Sequence, residues 1–304
     1  MVDLRRLAEE LNIDEIGVCD ASRFTEVEKI LLNALSLGIL PPFTETDIEK
    51  RVNPELTLKD ARSFIVLLEH YVPDVYEKRE GRYGNISPAA CGIDYHKRVR
   101  DKLNELIDAL LEITPGGMYM PFVDNSPFSE KHIAQRSGLG KILKNGLFYS
   151  EIVGSRCFIG IILSDQPFDS FCIERKDYGN DSRLNLCMQC SACLRHCPGK
   201  ALTEKGLNSY QCVSYLTQKK EALSFEEEKM LGQQIYGCDV CQKVCPVNGA
   251  ILPGYETGCE VNLDELLQMS NKNFKLTYQK TAAGWRGKKQ LQRNAEIILK
   301  NMEK

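Results

Sequence analysis

The hydrophobic positions of the first 170 residues alternate between helix-like and strand-like spacing. The clearest helix is predicted over 99–113, where apolar residues recur every three or four positions and Pro115 ends the pattern. Continuous apolar runs of strand length predict strands over 13–19, 63–69, 118–123 and 156–163. Further helices are predicted over 4–11, 26–37 and 129–136. This alternation predicts an α/β (α+β) core that ends near residue 170.

A change of composition divides the rest of the chain. The polar stretch 165–185 leads out of the core into a cysteine-rich region, 185–249. The tail from 264 to 304 is predicted to be helical, with one apolar face formed by Leu291, Ala295, Ile298 and Met302. We therefore expect three parts: a core over 1–170, a cysteine-rich module over 171–250, and a helical C-terminal segment over 251–304 that packs on the core.

Composition and charge narrow the class of protein. The 304 residues are 43% hydrophobic, enough for a sizeable core. No stretch approaches the roughly 20 apolar residues of a membrane span, and the N-terminus is charged, so we expect a cytoplasmic protein. The formal charge of -3 gives no overall attraction for polyanions. Two local basic stretches, 97–100 and 286–293, are either nucleic-acid contacts or solvated helix faces.

The thirteen cysteines carry the strongest chemical signal. The cytosol keeps thiols reduced, and the spacing here is typical of metal ligands rather than of disulfides. The run 187–198 reads CxxCxxCxxxCP, the bacterial ferredoxin pattern, in which three thiolates bind one 4Fe-4S cluster and the fourth binds its neighbour. A second run, 238–246, lacks the first cysteine of this pattern, and Cys212 can replace it.

Two 4Fe-4S clusters with crossed fourth ligands follow from these runs. The first cluster is assigned to Cys187, Cys190, Cys193 and Cys245, and the second to Cys197, Cys212, Cys238 and Cys241. A structural zinc site is an alternative for either run alone, but the two Cys-Pro endings together favour clusters. Adjacent clusters relay single electrons, so the core is expected to hold a second redox centre or a substrate.

Four short motifs lie beside this module: DYH at 94–96, FVDNSPFSE at 122–130, SGLGKILKN at 137–145 and YGCD at 236–239. In this order they resemble the epoxyqueuosine reductases, cobalamin-dependent iron-sulfur enzymes of tRNA modification. The resemblance covers residues 1–300 and is densest over 87–249. This chain differs at Lys141 and Leu143, where the family usually has tryptophan and glycine, and it ends without the C-terminal helical repeats of many members.

The resemblance implies a nitroreductase-like, cobalamin-binding core with the ferredoxin module packed against it. It implies that cobalamin sits base-off between the clusters and a substrate pocket. The family reaction removes the epoxide oxygen of a modified base as water and leaves an alkene, with consumption of two electrons and two protons. The expected partners are the tRNA anticodon loop and an external electron donor such as ferredoxin or flavodoxin, and we expect a monomer.

Particular residues take roles from the same resemblance. Asp124 matches the proposed proton donor, although an aspartate before Asn-Ser-Pro also suits a turn or a helix cap. Asp94, Tyr95 and His96 either line the cofactor pocket or cap the long helix. Further cobalamin contacts are expected from four residues: Arg51, Lys144, Asn145 and Ser214.

Two other functions remain open from the sequence. A cobalamin and iron-sulfur reductase could act on a small organic epoxide or halide, which the short tail and the acidic charge favour. A ferredoxin-like electron carrier without cobalamin is the third reading. Asp124 argues against a carrier, because electron relay alone needs no proton donor.

Overall fold

The structure is a computed structural model that describes residues 2–40, 43–173, 182–204, 206–249 and 255–303. Much of the predicted polar connection after residue 165 lies outside the described residues. The chain packs into two compact units: Met1–Tyr71 with His96–Gln189, and Val72–Tyr95 with Cys190–Lys304. Residues 72–95 therefore belong to the same unit as most of the cysteines. The division expected from the sequence instead places them in the core over 1–170.

A four-stranded antiparallel sheet forms the centre of the first unit. Its strands, in spatial order, are Glu15–Asp20, Ser63–His70, Cys157–Ser164 and Tyr119–Phe122. The two central strands pair over eight residues, from Ser63 opposite Ser164 to His70 opposite Cys157. All four strands lie within two residues of the predicted ones. Shorter pairs join Val2–Asp3 to Phe171–Cys172 and Lys141–Ile142 to Phe148–Tyr149.

Helices cover this sheet. They are Leu4–Glu10, Thr25–Ser36, Ile48–Val52, Tyr95–Ile113 (in this unit from His96 on), Glu130–Arg136 and Ser182–Gln189, with 3-10 turns at Pro54–Leu56 and Phe168–Ser170. The long helix buries Val99, Leu103, Leu106 and Leu110 completely, as its periodicity predicts. Each such side chain contributes about 1.5–3 kcal/mol of hydrophobic free energy. The mixed α/β fold is thus confirmed.

The second unit is built from short strands. Tyr83–Ile86 lies between Gln234–Tyr236, which is parallel to it, and Cys259–Asn262, which is antiparallel. Two antiparallel pairs complete the strands: Val75–Glu77 with Tyr255–Thr257, and Leu202–Thr203 with Gly206–Leu207. Glycine at position 84 is required by close packing, because a Cβ there would lie 2.6 Å from the side chain of Ile235.

Short helices hold the cysteines and the tail of this unit. They are Ala192–His196, Val213–Leu216, Phe225–Met230, Val240–Lys243, Leu263–Gln268, Asn271–Tyr278 and Lys288–Met302, with 3-10 turns at Pro88–Ala90, Ser209–Gln211, Pro246–Asn248 and Ala282–Arg286. Leu291, Ala295 and Ile298 are fully buried on the last helix, as predicted, whereas Met302 is exposed.

The last helix also carries a buried amide that ties two cysteine segments together. Asn294 is fully buried, and its Nδ2 donates to the carbonyl oxygens of Thr217 at 2.8 Å and Ile235 at 2.7 Å. The Thr217 hydroxyl in turn accepts from the backbone N–H of Gly237 at 3.0 Å. Because buried polar groups without partners are costly, these bonds fix the segment after Cys212 relative to the segment before Cys238.

No helix in the described part of the chain is long and apolar enough to cross a membrane.

Candidate active site and iron-sulfur ligands

Asp124 lies two residues after the edge strand Tyr119–Phe122, in a turn of unusual backbone geometry. Its φ is +55°, in the left-handed region that aspartate and asparagine tolerate better than most residues. From the long helix, Arg100 donates to the carbonyl oxygen of Pro121 and, at 3.5 Å, to Oδ1 of Asn125. The side chain of Asp124 is 66% exposed and extends from the turn. The turn therefore exposes the Asp124 carboxyl group, while Arg100 holds the backbone of the turn.

Glu130 holds this turn from the start of the helix Glu130–Arg136. Its Oε1 accepts from the backbone N–H of Asp124 at 2.9 Å and from the hydroxyl of Ser126 at 3.2 Å. The pKa of Glu130 is raised to about 8, first by burial and then by the charge of Asp124, while the two hydrogen bonds oppose the rise. Glu130 thus carries a proton at neutral pH beside Asp124. Sequence reasoning quoted Glu130 within its motif but gave it no role.

His96 completes the group from the first turn of the long helix. Its Nε2 lies 3.5 Å from Oδ2 of Asp124. The three side chains come from one helix, one turn and a second helix, all in the first unit. A carboxylic acid flanked by an imidazole and by a second carboxylic acid can donate a proton and then be reprotonated. This is the arrangement of general acid catalysis.

The predicted cobalamin contacts are distributed over both units. In the first unit, Arg51 is buried on the helix Ile48–Val52, while Lys144 and Asn145 lie in the hairpin turn between Lys141–Ile142 and Phe148–Tyr149. Two buried donors here, Nε of Arg51 and Nδ2 of Asn145, lack a hydrogen-bond partner among the described residues. Such orphaned donors fit a ligand rich in oxygen acceptors, as cobalamin is.

The second unit holds the remaining three predicted contacts. The backbone N–H of Asp94 donates to the carbonyl oxygen of Lys280 at 2.8 Å, and Tyr95 packs against the hydrophobic core of this unit. Ser214 follows Cys212, and its backbone N–H donates to the Cys212 sulfur.

Four thiols of the second unit lie close together, as the second cluster requires. The pKa of the Cys238 thiol is raised to about 12, first by burial and then by neighbours that include the Cys212 and Cys197 sulfurs. Burial also raises the pKa of Cys241 well above its usual value, with further contributions from Cys238, Asp239, Cys212 and the first-cluster Cys193. Buried thiols that raise one another's pKa ionise with difficulty. Binding to iron stabilises their thiolate form. The donor set therefore fits a 4Fe-4S cluster.

Backbone N–H groups point at two of the predicted ligand sulfurs, one from each cluster. Ala201 N–H donates to the Cys197 sulfur at 3.3 Å, and Ala192 N–H donates to the Cys190 sulfur at 3.4 Å. Such bonds raise the reduction potential of a cluster by stabilising its more negative form. Among the described residues no three Cys, His, Asp or Glu side chains converge on a single metal ion. A cubane has no such convergence, because each of its thiolates binds a different iron.

The ligands of the first cluster are distributed differently. Cys190, Cys193 and Cys245 belong to the second unit, and Cys187 lies in the helix Ser182–Gln189 of the first. Cys245 is buried, and the others are partly exposed. This ligand set stays a prediction from the sequence.

Two cysteines outside the cluster pattern contradict the expectation that the chain contains no disulfide. Cys91 and Cys259 are joined by a disulfide, with their Cα atoms 6.0 Å apart, within the usual range. Strand pairing brings Cys259 opposite Ile86, and the 3-10 turn Pro88–Ala90 returns the chain so that Cys91 meets it. A pair separated by 168 residues has no local signal in the sequence.

Three features indicate an iron-sulfur oxidoreductase. They are the carboxyl group held in a turn, the buried donors without partners, and the double-cluster cysteine pattern. Two family models match this chain: the 4Fe-4S double cluster binding domain over residues 186–248, and the epoxyqueuosine reductase QueG over residues 51–125. An epoxyqueuosine reductase of Lactococcus garvieae is 33% identical over 98% of this chain and 86% of its own length.

Solved structures give the same assignment. A crystal structure of epoxyqueuosine reductase with an epoxyqueuosine-modified stem loop of tRNA-Tyr has a TM-score of 0.86, with 33% identity over 99% of this chain and 80% of that one. A Bacillus subtilis epoxyqueuosine reductase, with its catalytic aspartate loop swung out of the active site, has a TM-score of 0.83 and 31% identity over 99% and 82% of the two chains. The chain belongs to the epoxyqueuosine reductase family. It is an oxidoreductase with a 4Fe-4S double cluster binding domain.

Proposed function

We propose that this chain reduces epoxyqueuosine to queuosine in tRNA, with Asp124 as the proton donor. The observation that carries the proposal is the grouping of Asp124, His96 and Glu130 at the end of the edge strand. Support comes from the similar enzyme solved with an epoxyqueuosine-modified stem loop. Bases in a single-stranded loop are already exposed, so a pocket can take the modified base without opening a duplex.

The reaction needs electrons and protons in equal number. Breaking both C–O bonds of the epoxide to leave an alkene and water consumes two electrons and two protons. When bound, cobalamin supplies a reduced cobalt that delivers electrons to the substrate. The clusters supply these electrons one at a time from an external donor, for which a ferredoxin or flavodoxin is our expectation. We also expect the nitroreductase-like core, and a monomer, in the working enzyme.

Asp124 donates the first proton. The oxygen that leaves the epoxide carbon becomes an alkoxide unless an acid protonates it, and a positioned acid is worth typically 10²- to 10⁴-fold in rate. His96, at 3.5 Å, orients the Asp124 carboxyl. Glu130 holds the turn through the backbone N–H of Asp124, and in this proposal its own carboxylic acid reprotonates the donor.

Cofactor contacts follow the same proposal. Arg51, Lys144 and Asn145 would hold cobalamin from the first unit, and Asp94, Tyr95 and Ser214 from the second. The orphaned donors on Arg51 and Asn145 support this assignment. Cys187, Cys190, Cys193 and Cys245 would hold the first cluster. Cys197, Cys212, Cys238 and Cys241 would hold the second, which the mutual effect of their sulfurs supports.

Asp124→Asn tests the proposal. The amide is nearly isosteric and can keep the contact with His96, so both clusters and cobalamin affinity should be unchanged. Turnover of epoxyqueuosine in a tRNA anticodon stem loop by dithionite-reduced enzyme should fall by about 10²-fold or more. Asp108→Asn, an exposed aspartate on the long helix, is the matched control and should retain full activity.

Two outcomes would contradict different parts of the proposal. Near wild-type turnover by Asp124→Asn would remove the proton-donor role. Absence of stem-loop turnover by the intact, cluster-loaded and cobalamin-loaded protein would instead show that the substrate is another epoxide or a halide. Failure of cluster-loaded protein to retain cobalamin in equilibrium dialysis would favour an electron carrier.

A further inference from the structure

Two of the cysteines outside the predicted cluster ligands are bonded to each other. Cys91 and Cys259 form a disulfide within the second unit, whereas Cys19, Cys157 and Cys172 are free thiols. Both residues of the disulfide are only partly buried, at the edge of the hydrophobic core of that unit. Exposed disulfides are reduced more readily than those enclosed in a core. The position of this bridge is therefore that of a labile disulfide rather than of a permanent one.

The same fold accommodates the two cysteines as thiols. The Cys91 sulfur lies 3.5 Å from the carbonyl oxygen of Ser87 and 3.6 Å from that of Ile86. When the bridge is reduced, the Cys91 S–H can donate to either oxygen. Backbone pairing holds Cys259 opposite Ile86 in the sheet whether or not the bridge is present. Both redox states thus have partners in one fold, as a reversible pair requires.

The turn that ends at the bridge packs against a predicted ligand of the second cluster. The backbone N–H of Ser87 donates to the carbonyl oxygen of Tyr236 at 2.9 Å, and its hydroxyl donates to Oδ1 of the buried Asp239 at 3.2 Å. The backbone at Gly237 approaches so closely that a Cβ there would lie 2.6 Å from the Cβ of Ser87. Cys238 lies between these two residues in the chain. Ser87 therefore holds the backbone on both sides of a cluster ligand.

The bridge adds a covalent link to this contact. Ile86, just before Ser87, lies opposite Cys259 on the neighbouring strand. A Cβ at Gly258 would lie 2.0 Å from the carbonyl oxygen of Ile86, so the strand is in tight contact there. The bond from Cys91 to Cys259 ties the far end of the turn to the same strand. Without the bond, hydrogen bonds and packing alone hold this end, so the redox state sets how firmly the turn is held.

We propose that Cys91 and Cys259 form a thiol–disulfide switch that slows loss of the second cluster under oxidising conditions. In the closing step the two protein thiols lose two electrons and two protons, and one S–S bond forms between them. A low-molecular-weight disulfide accepts the electrons and protons and leaves as two thiols. Excess small thiol reverses the exchange. The switch rests on the ligand set proposed for the second cluster, but its tests measure thiols and iron rather than turnover, so either can fail alone.

The first measurement determines whether the pair is reversible. The cluster-loaded chain is equilibrated anaerobically with mixtures of reduced and oxidised glutathione, free thiols are alkylated, and the oxidation of each cysteine is read by mass spectrometry. Cys91 and Cys259 should become oxidised together with one midpoint, whereas Cys172, an exposed cysteine of the first unit, should follow no such transition. A bridge that no mixture forms, a bridge that none reduces, or oxidation of one cysteine without the other would overturn the proposal.

The second measurement determines what the bridge does. Iron loss to a chelator is followed anaerobically for the cluster-loaded protein in the oxidised state and after reduction with tris(2-carboxyethyl)phosphine. The oxidised protein should lose about half of its iron, that of the second cluster, roughly tenfold more slowly than the reduced protein. Cys91→Ser and Cys259→Ser should each lose iron at the rate of the reduced wild type in both conditions. Cys172→Ser is the matched control and should respond as the wild type does.

The outcomes are distinct. Slower iron loss that is confined to the oxidised wild type and oxidised Cys172→Ser supports the switch. Equal rates for the oxidised and reduced wild type would refute it, because the bridge would then have no effect on the cluster. A redox response that persists in Cys91→Ser or Cys259→Ser would refute it as well, since the response would come from other thiols.

Discussion

Replacement of Glu130 by glutamine should make the protein more stable at neutral and alkaline pH. Glutamine keeps the shape of a protonated glutamate, and its Oε1 can still accept from the Asp124 N–H and the Ser126 hydroxyl. Glutamine cannot ionise, so the variant avoids the free-energy cost of burying a carboxyl group that is ionised in the unfolded chain. The wild type bears this cost at every pH at which the unfolded chain has lost the proton and the folded protein retains it.

The size and sign follow from the pKa of Glu130, which is raised from 4.5 to about 8 in the folded protein. Below pH 4.5 both states are protonated and the wild type keeps its full stability. Between these two values the unfolded state binds fewer protons, so stability falls by about 1.4 kcal/mol for each pH unit. Glu130→Gln avoids this loss, and its advantage should reach about 3 kcal/mol at pH 7 and grow until pH 8.

The measurement is the melting temperature of cluster-loaded wild type and Glu130→Gln, compared at pH 5, 7 and 8.5 under anaerobic conditions. One kcal/mol corresponds to roughly 2 °C in a chain of this size, so the variant should melt several degrees higher at pH 8.5 and almost equally at pH 5. Glu105→Gln, an exposed glutamate on the long helix, is the control and should show no pH-dependent gain. A constant difference between variant and wild type across this pH range would refute the reasoning.

Two further predictions concern the clusters. Cys212→Ser should lower the iron content from about eight to about four per chain, because it removes one ligand of the second cluster only, and an unchanged iron content would contradict the crossed ligand scheme. Asn294→Ala should leave the carbonyl of Ile235 without its side-chain donor, at about 1–3 kcal/mol, while the carbonyl of Thr217 still accepts from Gln290, and the variant should lose iron faster to a chelator. Asn301→Ala, a change on the same helix as Asn294 that removes a hydrogen bond to the carbonyl oxygen of Glu228, should not speed iron loss, and equal rates for the two variants would exclude a specific role for Asn294.

The sequence predicts those features that depend on local periodicity and spacing. The long helix and the four sheet strands follow from apolar spacing, because burial selects one face of a helix and both faces of a central strand. The double-cluster family match over 186–248 agrees with the cysteine spacing. These signals need no knowledge of which elements meet.

Features that depend on backbone conformation or on distant contacts could not be predicted in this way. Glu130 meets the Asp124 backbone only because that residue adopts a left-handed conformation, which the sequence merely permits. The Cys91–Cys259 disulfide depends on pairing of strands far apart in the chain. Likewise, Lys131 looks like a solvated helix lysine until the fold places it beside Arg51.

The buried amide of Asn294 has a consequence for how the protein is made. This residue follows all eight predicted ligand cysteines in the chain, yet its side chain bridges the segments that carry Cys212 and Cys238. Synthesis runs from the N-terminus, so a nascent chain presents the complete cysteine pattern to the iron-sulfur assembly machinery before the bridge exists. A cluster inserted at that stage would enter a site whose two cysteine segments are not yet tied together.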